Sequence, residues 1–472
     1  MIVKDFLKSP AGLAGTIILI LFSLISLYVV ATFPLNYGTK YWSNPKYWED
    51  YPKLVPPVWL NYFVPYKLPQ HYVNDLTKPT EEIGNVKKYI FTYNIDSDKF
   101  PTGIILKYMN LTFYGDVPVI SLKVKRPDGR EVTLIDFDGG IPPPRPGETP
   151  PYVRFVENSR TIILAADPQA IRKATAFANE LGVTCTTTDV QQAGLVPYIV
   201  LGEPTSKTCA AESFKPLKGE YVFEVEMIGD PRDQLGMVRL VVQGAVYGAM
   251  GTDYLGRDLA QGLLFGFPVA LFIGGVVALL ATFIGMALGI ISGYIGGRTD
   301  EAIQRFADVM NNLPTLPLLI LLVFVLGQKL INIILVLVIF GWAGTTIIVR
   351  SMVLSIRSSQ FVEAAKLAGA SRWWIMRRHI LPPVLPYSFA LIILSIPSAI
   401  LSEASLSFLG LGDPSIPTWG QILQQAFDNG ALQNFAWWWI LPPGFLIVLT
   451  AVGFVLVFFA LEPLVNPRLR RQ

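Results

Sequence analysis

The feature that most constrains this chain is a set of long apolar runs. A membrane core of about 30 Å requires roughly 20 apolar residues in a helix. Of the whole sequence, 52% is hydrophobic and 15% is charged. The predicted membrane-spanning helices cover residues 12–33, 269–292, 313–326, 330–349, 384–401 and 437–461. These runs predict a polytopic α-helical membrane protein with six transmembrane helices.

The third run is short, and Pro314 and Pro317 interrupt its start. By length alone it fits either a span or a re-entrant segment. The positive-inside rule favours a crossing, because the basic residues near the spans then share the cytoplasmic side and Lys329 alone lies in a short outer loop. That cytoplasmic set comprises Lys4, Lys8, Arg298, Arg305, Arg350, Arg357, Lys366, Arg372, Arg377, Arg378, Arg468, Arg470 and Arg471. Both termini are therefore expected in the cytoplasm.

The first run follows Lys4 and Lys8, as the apolar region of a secretory signal would. It is too long for such a signal, and no Ala-x-Ala cleavage site follows it. It is interpreted as a signal anchor, with a cleaved signal as the alternative. Residues 34–262 would then form a domain outside the membrane.

This extracellular insertion shows strand patterns and few long apolar runs. Strands are predicted over 88–96, 104–113, 117–125, 132–136, 221–228 and 237–246, and a helix over 168–181. The segment Arg126-Pro-Asp-Gly-Arg130 favours a hairpin turn. We expect a large, mostly antiparallel β domain with one or two helices.

Two covalent modifications are predicted in the insertion. Cys185 and Cys209 are the only cysteines. An oxidising compartment favours a disulfide between them, and two free buried thiols are the alternative. Asn110-Leu-Thr112 is a glycosylation sequon that would be usable only outside the cell.

A short basic stretch between the fourth and fifth runs carries the most specific pattern. It reads Glu363-Ala-Ala-Lys-Leu-Ala-Gly369, continues through Arg372, Arg377 and Arg378, and ends in Leu381-Pro-Pro383. Its first residues favour a helix, Gly369 permits a left-handed turn, and the prolines are expected to stop the second helix. The expected product is a charged helix–Gly–helix hairpin at the membrane surface, suited to docking a soluble partner.

Glu-Ala-Ala, three residues, Gly, and then nine residues leading towards Leu-Pro resembles the cytoplasmic coupling motif of binding-protein-dependent ABC importer permeases. His379 replaces the Ile of the general motif, as it often does in the peptide-type importers for dipeptides, oligopeptides and nickel. The resemblance implies a type I importer fold and a hairpin that inserts into the ATP-hydrolysing subunit. The implied coupling residues are Glu363, Ala364, Ala365 and Gly369, with Arg377, Arg378, His379 and Pro382 as further contacts.

Two outer segments are similar to the same family. Gly251-Thr-Asp-Tyr-Leu-Gly-Arg-Asp258 precedes the second span, where it could contact a binding protein or fix the start of the helix through ion pairs. The stretch 402–420 resembles the outer-loop pattern of peptide-type permeases. Within it, Glu403 and Trp419 are candidates for the pathway or outer gate, and a loop-capping role for Glu403 is the alternative.

The sequence lacks several patterns that catalysis would require. It contains no Gly-x-x-x-x-Gly-Lys-Ser/Thr loop for ATP and no Gly-x-Ser-x-Gly nucleophile elbow. No Cys/His cluster has metal-ligand spacing. The chain is expected to be non-catalytic and to hold no metal or cofactor, with ATP and Mg²⁺ bound by partner subunits.

The interpretation divides the chain into residues 1–33, the insertion 34–262, and a permease core 263–472 that contains the hairpin 351–383. The expected partners are a second permease chain, two ATP-binding cassette subunits and an extracellular substrate-binding protein, at the plasma membrane; nucleic acid is not an expected partner. The cargo could be peptides or di- and oligosaccharides. A membrane-anchored extracellular enzyme or binding protein, and a channel without ATPase partners, are the alternative functions.

Overall fold

The computed structural model describes residues 9–465, so Lys4, Lys8 and the arginines at 468, 470 and 471 lie outside the described residues. The chain divides into two compact units. One combines the residues up to Pro45 with those from Leu259 onward, and the other is Lys46–Asp258. The second unit lies within the predicted insertion 34–262.

The first unit is helical. Its helices are α1 (Pro10–Thr32), α5 (Leu259–Ile295), α6 (Gly297–Asn312), α7 (Thr315–Leu326), α8 (Leu330–Arg357), α9 (Gln360–Leu367), α10 (Arg372–Ile375), α11 (Leu381–Leu406), α12 (Trp419–Asp428) and α13 (Trp437–Val465). Among the described residues, five helical stretches are long and apolar enough to cross a membrane. They are α1, α5, α8, α13 and the stretch Arg372–Leu411 that contains α11.

The third predicted span takes a bent form. Only together are helices α6 and α7 long and apolar enough to cross a membrane, and their axes differ by 88°. Pro314 lies at the bend, where it cannot continue a helix. A broken span and a re-entrant loop both fit this geometry, so the crossing of 313–326 remains a prediction.

Two expectations about helix ends were wrong. Helix α5 begins ten residues before the predicted 269 and continues through Pro268, as helices packed in membrane proteins can. The prolines of Leu381-Pro-Pro383 do not stop a helix. They lie in the first turn of α11, directly after a π-helical turn over residues 376–380, and the helix continues through them.

Helices α5 and α8 approach so closely that three glycines are required at their contact. A Cβ atom on Gly285 would lie 2.5 Å from the carbonyl oxygen of Trp342, and one on Gly289 would lie 2.8 Å from that of Thr346. Gly293 continues the row one turn later. Gly285 and Gly289 therefore pack directly against α8, because only glycine lets the two backbones meet.

The second unit contains twelve strands and three helices. They are β1 (Tyr72–Leu76), β2 (Glu81–Ile83), β3 (Val86–Ile95), β4 (Gly103–Phe113), β5 (Val119–Lys125), β6 (Glu131–Ile135), β7 (Tyr152–Arg154), β8 (Arg160–Ile163), β9 (Gly202–Pro204), β10 (Phe214–Pro216), β11 (Gly219–Ile228), β12 (Gln234–Gln243), α2 (Pro168–Glu180), α3 (Thr187–Gln192) and α4 (Val196–Leu201). The strand pairs are antiparallel throughout these named strands.

Two five-stranded sheets and a two-stranded sheet, β9 paired with β10, form this β domain. One five-stranded sheet has the order β2-β3-β11-β5-β6, and the other has the order β1-β12-β4-β7 with β8 also paired to β4. Apolar residues of both five-stranded sheets and of the three helices form a single core. The predicted antiparallel β insertion is therefore present, with three helices where one or two were expected, and the 126–130 turn joins β5 to β6 as predicted.

His71 lies just before β1 in an aromatic cluster of the β domain. Its ring stacks on Tyr51 at 5.9 Å between centroids and meets Tyr247 edge-on at 5.5 Å. Burial lowers the pKa of His71 to about 4, although the nearby Asp50 carboxylate acts in the opposite direction. The folded β domain therefore holds this imidazole in its neutral form near pH 7.

We expect Gly289→Ala to lower the free energy of unfolding by about 1–3 kcal/mol, because the added methyl group would press on the backbone of α8. Gly275→Ala is the matched control. It lies on the same helix, and a Cβ there has nothing within 4 Å. Thermal unfolding of the full chain in lipid nanodiscs measures both variants. Equal stability of the two would contradict the close contact.

We also expect the β domain to lose stability as pH falls from about 6.5 to about 4. In that window the unfolded chain binds a proton at residue 71 that the folded chain does not bind, so the free energy of unfolding falls. The loss is at most about 3 kcal/mol. His71→Phe keeps an aromatic ring and removes this contribution. Between pH 6.5 and 4 the melting temperature of the wild type should fall more steeply than that of the variant, and parallel profiles would refute the assignment.

Candidate functional site

The basic stretch forms a hairpin whose turn depends on Gly369. This glycine has φ +75° and follows the C-terminus of α9. The amide of Ala370 donates to the carbonyl of Ala365 at 3.1 Å, and the amide of Gly369 donates to that of Lys366 at 3.0 Å. This pair of bonds is a Schellman motif, which favours glycine at the left-handed residue. The turn therefore ends α9 and directs the chain into α10.

The second limb begins at Ser371 and runs without interruption into the membrane helix. The Ser371 hydroxyl accepts a hydrogen bond from the Trp374 amide at 3.3 Å and so caps α10. A π-helical turn, Met376–Ile380, then connects α10 to α11. Continuous helical backbone thereby joins this limb of the hairpin to α11.

An apolar core anchors the inner side of the hairpin. Val362, Ile375 and Ile380 are buried there among side chains of α5, α8 and the start of α11. The Lys366 ammonium also lies 5.8 Å from the centre of the Tyr294 ring at the end of α5. The hairpin is therefore held against two long helices of the unit.

The outer side of the hairpin carries the predicted charged residues. Glu363, Ala364, Gly369, Arg377, Arg378 and Pro382 are exposed, and Ala365 is half-buried. His379 is half-buried between the rings of Phe361 and Trp374, at centroid distances of 5.9 and 5.1 Å. His379 thus joins the two limbs of the hairpin, a packing role that the sequence did not indicate.

Two large apolar side chains on the hairpin were not identified as contacts from the sequence. Leu367 is 90% exposed and Trp373 is 71% exposed. Exposed aromatic and aliphatic groups among charges are typical of protein-binding surfaces. The available sequence signal was the presence of Leu and Trp in a loop that is otherwise small and basic. We call Glu363, Leu367 and Trp373, with Arg377 and Arg378, the hairpin face.

A second link near the hairpin joins α6 to α8. The Arg350 guanidinium donates to both carboxylate oxygens of Asp300, at 2.6 and 2.5 Å. The Ser292 hydroxyl also donates to Asp300, and the Gln304 amide donates to Ser292 at 2.9 Å. Bidentate charge-assisted bonds of this kind fix orientation as well as distance. They hold the N-terminal turn of α6 to the C-terminal part of α8.

The candidate pathway residues Glu403 and Trp419 are buried within the helical unit. The hydroxyls of Ser407 and Thr418 hydrogen-bond to the Glu403 carboxylate, with Ser407 at 2.6 Å. Trp419 donates from Nε1 to the carbonyl of Leu263 at 3.0 Å and packs edge-on against Phe267. These contacts favour the loop-capping alternative for Glu403, and a pathway role stays a prediction.

A cavity of about 190 Å³ lies elsewhere among the helices, and its polar lining comes largely from α11. Ser395, Ser398 and Ser402 line it at spacings that place them on one face of that helix. The hydroxyls of Ser395 and Ser402 bond to carbonyls of their own helix, at 2.8 Å each. The serine spacing was visible in the sequence, but nothing there indicated a shared cavity.

The remaining predicted residues lie in the β domain. Cys185 and Cys209 form a disulfide, and Asn110 is exposed on β4. Asp253 and Arg257 form a buried ion pair at 2.5 Å. Burial raises the pKa of Asp253 even though Arg257 faces it. The described residues hold no group of three His, Cys, Asp or Glu side chains that could bind a metal.

Comparison with known proteins defines the class. Residues 285–471 match the family model of the binding-protein-dependent transport system inner membrane component. The oligopeptide transport system permease protein of Bacillus subtilis is 37% identical over 222 residues, which cover 47% of this chain and 72% of that protein. A probable D,D-dipeptide transport system permease protein of Escherichia coli is 39% identical over 220 residues, 46% of this chain and 72% of that protein.

The dipeptide transport system permease protein of Bacillus subtilis is similar at 36% identity, over 47% of this chain and 69% of its own length. The chain is therefore a multi-pass membrane permease. It belongs to the family of peptide-type ABC importer permeases, as its hairpin pattern predicted. Its relatives are named as transport proteins, and each of these matches covers less than half of this chain.

We expect Asp300→Asn to lower the free energy of unfolding by about 1–3 kcal/mol, because Arg350 would lose a charged partner in a half-buried site. Glu301→Gln is the matched control, since the Glu301–Arg305 pair lies one residue away and is exposed. That control should cost less than about 1 kcal/mol. Denaturant titrations monitored by the circular dichroism of the helices measure the free energy of unfolding of both variants. If the control lost as much as Asp300→Asn, the structural role of the Asp300–Arg350 pair would be wrong.

Proposed function

We propose that this chain is one membrane subunit of an ATP-driven, binding-protein-dependent importer of peptides. The observation that carries the proposal is the hairpin face, which is exposed on one side and anchored on the other to α5 and α8. A partner that moves the hairpin would move these helices with it. The names of the relatives support peptides as the cargo.

The hairpin face docks on an ATP-hydrolysing subunit. Glu363 contributes a negative charge to this face, and Arg377 and Arg378 contribute positive charges. Leu367 and Trp373 supply the apolar area that a stable contact needs. ATP and Mg²⁺ are bound by that partner, and this chain is non-catalytic.

The proposed topology has six spans, with α6 and α7 together forming the third. Both termini and the hairpin then lie in the cytoplasm, and the β domain lies outside the cell. The positive-inside rule supports this arrangement, because the arginines of the hairpin and of its neighbouring helix ends share one side. The disulfide in the β domain is consistent with an oxidising compartment.

The proposed assembly contains a second permease chain, two ATPase subunits and an extracellular binding protein. Cargo would cross between the two permease chains by alternating access. The cavity lined by Ser395, Ser398 and Ser402 offers hydroxyl groups to such a pathway. In this scheme Glu403 and Trp419 stabilise the outer loop through their buried hydrogen bonds to Ser407 and Leu263.

The test is the ATPase activity of the assembled complex with its binding protein, assayed with short peptides and with oligosaccharides. We expect peptides to stimulate hydrolysis. Glu363→Lys should abolish transport and weaken ATPase-subunit binding while the chain remains inserted. Trp373→Ala should weaken that binding about 30-fold, as removal of a central aromatic anchor does.

Phe63→Ala is the matched control for Trp373→Ala, because Phe63 is an equally exposed aromatic residue of the β domain. It should leave ATPase binding unchanged. Normal transport by Glu363→Lys would refute the coupling role of the hairpin. Stimulation by oligosaccharides alone would refute peptides as cargo and leave the coupling role standing.

A further inference from the structure

The β domain contains a cavity of about 520 Å³ that the proposed transport function does not use. Its walls come from the segment before β1, from the middle of β4 and β12, and from the chain just after β12. This volume lies within the range of about 300–1,000 Å³ typical of small-molecule sites. The cavity has two walls, one aromatic and one formed by charged side chains.

One wall is aromatic. Tyr51 and His71 stack with ring planes 17° apart, and Tyr247 meets Tyr51 edge-on at 5.2 Å. Tyr47 extends the surface, with its ring 6.5 Å from that of Tyr51 and 28° from parallel. Burial raises the pKa values of the Tyr51 and Tyr247 hydroxyls and lowers that of His71, so these three rings are uncharged near pH 7. The wall therefore offers uncharged ring surface with polar edges.

The other wall is a network of paired charges. Lys107 forms ion pairs with Asp50 and, at 2.9 Å, with Glu49. Arg239 bonds to Asp50 at 2.8 Å and to both carboxylate oxygens of Asp75 at 2.6 and 2.7 Å. Both cations are thus matched by carboxylates from the same domain, and the ammonium of Lys46, which also lines the cavity, donates to Oδ1 of Asn158 at 3.1 Å.

Such a network favours an uncharged ligand over a charged one. A carboxylate or ammonium group would have to compete for cations or anions that are already paired, and separating such a pair is unfavourable. A hydroxyl group can accept from Lys107 or Arg239 and donate to a free carboxylate lone pair without breaking any pair. The polar wall therefore suits a ligand rich in hydroxyl groups.

The aromatic wall adds a second requirement. Flat uncharged rings bind flat apolar surfaces, and a pyranose ring presents such a surface through its axial C–H groups while its rim carries hydroxyls. Both walls are satisfied together by this one chemical class. We propose that the cavity of the β domain binds a neutral oligosaccharide. This site is separate from the peptide pathway and does not depend on the proposed ATP coupling.

The test is isothermal titration of the full chain in lipid nanodiscs with maltotriose, cellotriose and mannotriose, and with trialanine as the charged comparison. At least one trisaccharide should bind with a dissociation constant of roughly millimolar or tighter. Its affinity should change little between low and high salt, because no net charge is exchanged. Tyr51→Ala should weaken binding at least about tenfold, and Tyr51→Phe should retain it.

Tyr47→Ala is the second variant, since Tyr47 is partly exposed and its loss threatens folding less. Tyr62→Ala, at an exposed tyrosine that does not line the cavity, is the control and should bind as the wild type does. Absence of binding by all three trisaccharides would overturn the proposal. Binding of trialanine with the same dependence on Tyr47 and Tyr51 would overturn it in favour of a peptide site. Neither result would alter the ATPase test of the transport function.

Discussion

The contact between α5 and α8 is the constraint on which the helical unit depends. Gly285, Gly289 and Gly293 let the two backbones meet without side chains between them. In lipid, such close contact replaces the hydrophobic driving force that water supplies to soluble proteins. The apolar core that anchors the hairpin lies at the end of the same helix pair. The position of the hairpin is therefore set by this contact.

The hairpin combines a rigid attachment with an exposed face. Gly369 makes the turn possible, and Val362 and Ile375 fix its inner side. Trp373 and Leu367 remain outside, although exposure of such residues is unfavourable in water. This cost is understandable if a partner covers them. The second limb of the hairpin continues directly into α11.

The β domain is stabilised by different physics. Its two five-stranded sheets share a large apolar core, which a soluble domain of this size can form without help from lipid. On the face of the β1-β12-β4 sheet that is opposite to this core, the ion pairs of Asp50 meet the rings of Tyr51 and His71. Buried charges are kept only where they are paired. The uncharged character of the proposed ligand follows from this pairing.

The sequence by itself determined the apolar helices, the principal strands and the pattern of the basic hairpin, because these follow from local periodicity and spacing. The tertiary structure decided what depends on distant neighbours. It carried α5 through Pro268, continued α11 through the prolines 382 and 383, and placed His379 between Phe361 and Trp374. It also brought Asp50, His71 and Arg239 around one cavity, although they are far apart in the chain. Proline effects, ring contacts and ion pairs depend on which groups packing brings together, and local sequence patterns do not specify those partners.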